Sequence, residues 1–449
     1  MSVDLIRWAE RFVATSSVSY EGNQAITEQA EMLLGEAGIQ TRVETVTVDG
    51  TRHRAIIADL GPPPDVGNAT GLLLVTHLDT VPPGESAAWT ATDGNPLRPT
   101  RVGDRLYGLG AADAKIDFVC KVAALAEIER LSLQRSVRIV GTFGEEIGLL
   151  GARWLVDSGL TQGFRYVMVG EPSELAAIHA HKGYAVFEAH VPLEAMAQPT
   201  GGRLEQMHFA GQSVHSSTPD LGTSALEMAL ERLALPDVQG LVGFEGGSAV
   251  NKVPEASSLT LLLEGTSAQP GTEAYAPKPL VAFHRAWRHL VERLSWHRDS
   301  EFDPDHTVGN LGSVTLCEGR ASFRFDLRPI PGMDPELAVQ PLKEVAEVTC
   351  RRQSPPLATP LSSRLLRTVA RAQQSAGLEP RIGTKATCTE AGLLAQAGLE
   401  AVILGAGRSV GNVHRANEYT RISELALARD IYAETIRRLC MDRNEPCFS

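Results

Sequence analysis

The chain has 449 residues, 43% of them hydrophobic and 21% charged, and carries a net charge of -12. That length exceeds one ordinary domain and supplies core for two, while the acidic balance excludes nucleic acid or an anionic membrane as the main partner. Six cysteines form no Cys-x-x-Cys motif, no apolar run reaches membrane-spanning length, and the amphipathic start is no secretion signal, so a cytoplasmic location is expected.

In chain order, residues 4–16 and 23–38 read as amphipathic helices, and Gly71–Thr76 as a buried strand. Ala114–Leu131 has helical spacing, Ser136–Phe143 is β-rich, Leu149–Ser158 is helical and Phe164–Val169 is a third strand. Strands alternating with helices predict crossover units, hence an α/β domain with a mostly parallel sheet and helices on both faces. Ligands of such sheets bind beyond the carboxyl ends of the strands. The polar residues at those ends therefore carry most of the chemical information.

His77 and Asp79 stand where the first buried strand ends, two positions apart and so facing the same side. A metal-binding imidazole needs its second ring nitrogen held by an acceptor, and a neighbouring carboxylate is a common holder. Asp113 follows the glycine-rich Gly108-Leu-Gly-Ala-Ala just before a helix, where an N-cap is the competing reading. Glu145 and Glu146 follow the strand ending at Phe143, and Glu171 follows Gly170. Adjacent acids are ordinarily solvated surface, but beside a buried strand they repel unless a cation or proton lies between them. Another apolar strand, Ala401–Gly405, precedes a loop with His414, Asn417 and Glu418. Two imidazoles and three carboxylates (His77, Asp113, Glu146, Glu171, His414) are the inventory for two divalent metals sharing one carboxylate. Paired metals about 3.5–4 Å apart activate water and polarise a carbonyl, and the spare acid Glu145 is then a natural general base.

His77-Leu-Asp79-Thr-Val-Pro, Tyr107-Gly-Leu-Gly-Ala-Ala-Asp113, Gly144-Glu145-Glu146, Gly170-Glu171-Pro and the late His414 occur in an order that resembles one family. It is the dinuclear metallopeptidase and deacylase family that includes acetylornithine deacetylase, succinyl-diaminopimelate desuccinylase, aminoacylase-1 and glutamate carboxypeptidase. The resemblance implies two metals, zinc with cobalt as the alternative. His77 and Glu171 would serve one, Glu146 and His414 the other, with Asp113 bridging. It also implies Glu145 as base and proton shuttle, Asp79 as the holder of His77, and a homodimer. An inserted α+β lid or dimerisation domain is expected over 183–332, leaving 1–182 and 333–449 as the catalytic domain.

His215, in Val214-His-Ser-Ser-Thr-Pro, matches the inserted-domain His that in relatives reaches the substrate carbonyl from the partner subunit. Arg328 is a candidate clamp for a substrate carboxylate, with bracing of its Pro-rich turn as the alternative. Asn251 and Asn310 are unranked candidates for a substrate-binding amide. Glu390 is a candidate receptor for a side-chain ammonium, with a structural salt bridge as the alternative. Lys115-Ile116 departs from the family's Lys-Gly, and extra sequence is expected near 193–206 and 236–306, including a helix over Pro279–Arg298 whose aromatics suggest packing. Within that family, Gly170-Glu-Pro-Ser-Glu-Leu, Asp326-Leu-Arg-Pro and Cys388-Thr-Glu390 resemble acetylornithine deacetylases, and the resemblance implies hydrolysis of a small N-acyl amino acid, N-acetylornithine first, as in arginine biosynthesis. Desuccinylation, a dipeptidase or carboxypeptidase activity, and a non-catalytic metal-binding scaffold are the alternatives.

Overall fold

The computed structural model describes residues 3–196, 202–264 and 273–441. Contacts divide the chain into two units, residues 1–180, 357–384 and 389–449 in the first, and residues 181–356 and 385–388 in the second. The segments expected as extra sequence are therefore described except for 197–201 and 265–272, which lie outside the described residues.

The first unit is built on a nine-stranded sheet. Its centre is parallel: Gly71–His77 lies between Val137–Thr142 and Phe164–Gly170, and Glu400–Leu404 pairs with the latter. Arg42–Val48 and Thr51–Leu60 extend one side in antiparallel fashion. Every residue of Gly71–His77 is buried, because helices cover both faces. Leu72 and Leu74 enter the core beneath Leu5–Val13, Gln24–Glu36, Lys115–Ala126 and Ile422–Ile436, whereas Leu73 and Val75 join Leu155 and Leu394 on the opposite face. A strand buried on both faces reads as an unbroken apolar run, not an alternating one. Ile116, at the departure from Lys-Gly, is simply absorbed into the larger core.

A buried polar network sits under the strand ends. Lys121 spends its three donors on Val75 O (2.7 Å), Thr76 Oγ1 (2.8 Å) and Asp117 Oδ2 (2.8 Å). Thr76 Oγ1 donates to Asp117 Oδ2 at 2.9 Å, and Tyr432 Oη lies 2.7 Å from both Asp117 Oδ1 and Leu404 O. Burial of the phenol beside Asp117 pushes its pKa well above the ordinary value. Space here is tight: a Cβ on Gly170 would stand 1.9 Å from Asp117 Oδ2, so the residue before Glu171 has room only for hydrogen.

The second unit is an antiparallel seven-stranded sheet in the order 203–210, 256–263, 238–246, 308–317, 320–328, 184–192, 347–354. The helices Ala225–Leu233 and Lys278–Leu294 contribute Leu226, Leu230, Phe283 and Trp287 to its core. Phe283 stacks on Phe323 at 4.4 Å and Trp287 meets Phe325 edge-on at 5.3 Å, while His289 and Trp296 stay exposed. The return boundary differs from the expected 332. Residues 333–356 remain with the second unit because Glu347–Ser354 pairs with Tyr184–Pro192 and Val339 and Leu342 enter its core. The Pro-rich turn at 329–332 reads as an exit from the domain, but an edge strand was still to come. Among the described residues no helix is long and apolar enough to cross a membrane.

Removing one partner of a buried ion pair leaves an uncompensated charge, whereas removing one hydroxyl leaves a single unmet acceptor. Lys121→Met is therefore expected to destabilise the protein by about 3–5 kcal/mol and Tyr432→Phe by about 1–3 kcal/mol. Denaturant midpoints at unchanged m-value measure both, and equal losses would contradict the ion-pair account.

Candidate metal centre

The parallel strands deliver their ends to one edge of the sheet, where ligands of open α/β sheets gather. His77 closes Gly71–His77, Glu145 and Glu146 follow Val137–Thr142, and Glu171 follows Phe164–Gly170. Asp113 sits in the turn ahead of helix Lys115–Ala126, and His414 in the loop after Glu400–Leu404 with a left-handed backbone (φ 58°).

Two donor groups result, His77 with Asp113 and Glu171, and Asp113 with Glu146 and His414, each with its ligand atoms within 4.8 Å of one another. His77 Nε2 lies 3.2 Å from Asp113 Oδ1 and 3.8 Å from Glu171 Oε1. His414 Nε2 lies 3.2 Å from Asp113 Oδ2 and 3.0 Å from Glu146 Oε1. Asp113 thus turns one oxygen to each imidazole. The set fits two divalent cations by its chemistry: three carboxylates and two imidazoles in two groups that share one carboxylate, with further acid beside them.

The electrostatics say the same. Burial, then the neighbouring Glu146 charge, pushes Glu145 well above the usual carboxylate range, with Glu171 and Asp113 adding to it. Burial also raises Glu146 against the pull of His414. Asp113 goes the other way: burial opposes its charge, but hydrogen bonds from His414 and His77 hold it well below the ordinary value. Hydrogen bonds to Asp113 and Glu146 raise His414 to about 11. Burial works against a charged His77, yet Asp113 and Asp79 raise it well above its ordinary value.

Asp79 does more than the His-x-Asp spacing suggests. His77 Nδ1 is 3.1 Å from the backbone oxygen of Asp79 and 3.7 Å from its carboxylate, so the hydrogen-bond partner at Nδ1 is the carbonyl. The carboxylate accepts from Ser19 Oγ at 2.6 Å and from the backbone N–H groups of Glu145 and Glu146 at 3.2 and 3.3 Å. One buried side chain therefore joins the His77 strand to the loop of both glutamates. Nothing in the sequence marks Ser19 for this, since a lone serine has no pattern. Glu418 is similar: its carboxylate accepts from the N–H groups of Gly110, Ala112 and Asp113 at 3.2, 2.7 and 2.9 Å. Burial and the Asp113 charge raise its pKa to about 7. Its place in Asn417-Glu418 is visible in sequence, but its partners are about 300 residues away.

Glu390 is fully buried, its oxygens have no hydrogen-bond partner among the described residues, and burial lifts its pKa to about 7. Among the described residues no ion pair to Glu390 is found, so the expected salt bridge is not formed, and its burial leaves it unexposed. The remaining predicted residues belong to the second unit. Arg328 is buried, donates to Asp326 Oδ2 and Ser216 Oγ at 3.0 Å each, and lies 3.9 Å over the Tyr184 ring. These contacts tie Arg328 to its own strand, to the Ser216 segment and to Tyr184. Asn310 spends its amide on Val250 O (3.0 Å) and Lys252 O (3.1 Å), while Asn251 between them is exposed. Of the two asparagines, Asn310 holds the segment and Asn251 is the one presented. His215 is exposed, with Nδ1 2.8 Å from Ser217 Oγ.

A family model described as peptidase family M20/M25/M40 matches residues 73–438. An acetylornithine deacetylase of Myxococcus xanthus is 26% identical over 96% of this chain and 96% of its own. Among solved structures, aminoacylhistidine dipeptidase from Vibrio alginolyticus superposes with a TM-score of 0.69 at 16% identity, covering 97% of this chain and 96% of that one. A dinuclear metal-binding peptidase from Bacillus subtilis gives 0.55 at 13% identity, covering 97% of each chain.

Metal ligation requires neutral imidazoles. With His77 raised well above its ordinary value and His414 raised to about 11, both imidazoles are expected to give up a proton on taking a metal near pH 7. Zinc binding is expected to release about two protons per chain from them, against well under one from two ordinary histidines of pKa about 6.5. Titration calorimetry in buffers of different ionisation enthalpy measures this, and release below about one proton would refute it.

Proposed function

We propose that this chain, which belongs to peptidase family M20/M25/M40 and is a hydrolase, cleaves the amide bond of a small N-acyl amino acid, N-acetylornithine first. The observation that carries the reading is the pair of donor groups sharing Asp113, with the uncommitted acid Glu145 beside them. Full-length similarity to an acetylornithine deacetylase favours the substrate class.

His77 and Glu171 would hold one cation, Glu146 and His414 the other, and Asp113 both; zinc is the proposed metal and cobalt the alternative. Bound there, the ions supply Lewis acidity toward the amide carbonyl and toward water. Glu145 takes the proton of the attacking water and returns it to the departing amine nitrogen. Burial and the neighbouring Glu146 charge raise its proton affinity, which favours holding the proton between the two halves of that exchange. Asp79 keeps the Glu145–Glu146 backbone in register with His77. His215 of the partner subunit is the proposed donor to the carbonyl oxygen as charge develops, and Asn251 the proposed substrate amide. Arg328 and Asn310 support those two segments from behind. A cytoplasmic homodimer completes the proposal.

Glu145→Gln is expected to lower kcat by about two to four orders of magnitude while binding about two zinc ions per chain, as the shared-carboxylate site implies. Retained turnover would remove Glu145 from its role. On the zinc-loaded protein, N-acetylornithine is expected to give the highest kcat/KM among N-acetylornithine, N-succinyl-diaminopimelate and a dipeptide panel. A dipeptide ahead of it would shift the reading to a peptidase, and two bound metals without any turnover to a binding scaffold.

A further inference from the structure

Glu418 stands four residues beyond His414, yet its side chain belongs to the Asp113 turn. Its two oxygens accept three backbone N–H groups, those of Gly110, Ala112 and Asp113, at 3.2, 2.7 and 2.9 Å. Its own carbonyl accepts the Gly108 N–H at 3.0 Å. The residue is 2% exposed, so water offers these groups little alternative. Beside it, Asn417 binds a third segment: Oδ1 accepts from Ala91 N at 2.8 Å, and Nδ2 donates to Ala88 O and Thr90 Oγ1 at 3.1 Å each. His414 and Asn417 both have left-handed backbone, with φ of 58° and 64°. Such a conformation is costly for a non-glycine residue and persists where surrounding contacts over-determine it. Here the contacts are those two side chains.

We propose that Glu418 is a positioning residue for the metal centre: by clamping the backbone of Gly110–Asp113 from the loop that carries His414, it sets the separation between the shared carboxylate and the imidazole of the second donor group. This rests on the reading of Asp113 as the shared ligand. Three N–H donors converging on one side chain call for a two-oxygen acceptor of this length. A glutamine has one acceptor oxygen and an amide group that would face a backbone N–H donor to donor. Glu418 touches neither substrate nor metal in this account; it acts through the Asp113 main chain.

The test compares zinc affinity by chelator competition in the full-length protein, Glu418→Gln and Asp113→Asn, with circular dichroism as the check on folding. Glu418→Gln is expected to weaken zinc about 10–100-fold, the usual loss for a partner behind a metal ligand, and to lower kcat with KM within about twofold. A role confined to stability would lower the denaturation midpoint and leave zinc affinity at the parent value, and that result overturns the proposal. Should Asp113→Asn also leave zinc affinity unchanged, the shared-ligand reading fails and Glu418 falls with it. If Glu418→Gln does not fold, Glu418→Asp carries the same test. It keeps the charge on a shorter arm, weakened zinc is again the expected result, and parental affinity again overturns the proposal.

Discussion

Concentrated negative charge at the end of a buried sheet is the constraint around which the rest of this protein is arranged. Asp79, Asp113, Glu145, Glu146 and Glu171 come together where water is largely excluded, and like charges so placed raise one another's proton affinity. Such a cluster survives folding only if each carboxylate has a counterweight. Asp113 has two imidazoles, Glu146 has His414, and Asp79 has Ser19 and two backbone N–H groups. Glu145 is raised first by burial and then by the Glu146 charge beside it. Chemistry and stability therefore meet in the same pocket.

The counterweights are also what shape the loops. A carboxylate that accepts main-chain N–H groups fixes the loop it touches. Asp79 does this for Glu145–Glu146 and Glu418 for Gly110–Asp113. Beneath them the Asp117–Lys121–Tyr432 network ties helix Lys115–Ala126, the strand at Thr76 and helix Ile422–Ile436 together. Gly170 and Gly405 carry no side chain because Asp117 Oδ2 and Glu171 O would stand 1.9 and 2.5 Å from an added Cβ. The polar layer under the site and the site itself are thus one packed system. Replacing its members by apolar residues of similar volume would alter the geometry above.

Much of this was legible in the residue order. An apolar run with a His or an acid at or within a few residues of its end marks a parallel strand with its carboxyl end at a ligand site, and Gly71–His77, Val137–Thr142 and Phe164–Gly170 are such strands. The helix over Lys278–Leu294 likewise shows in the spacing of Phe283, Trp287 and Leu290, which enter the second core. Other features were out of reach. The Pro-rich turn after Arg328 has the composition of a domain exit, and only the pairing of Glu347–Ser354 with Tyr184–Pro192 shows that the sheet continues.

By itself the sequence determined the element types, the edge of the sheet that bears the chemistry, and the inventory of imidazoles and carboxylates there. Those properties follow from periodicity and residue type, which are local. Tertiary structure alone decided how each polar group is spent. Arg328 is used on Asp326 and Ser216, Asn310 on the carbonyls flanking an exposed Asn251, Glu390 is sealed in, and Glu418 grips a turn far away in the chain. The reason is physical. Whether a charged or amide side chain meets substrate, backbone or nothing depends on neighbours brought together by folding, and no spacing along the chain encodes their distance.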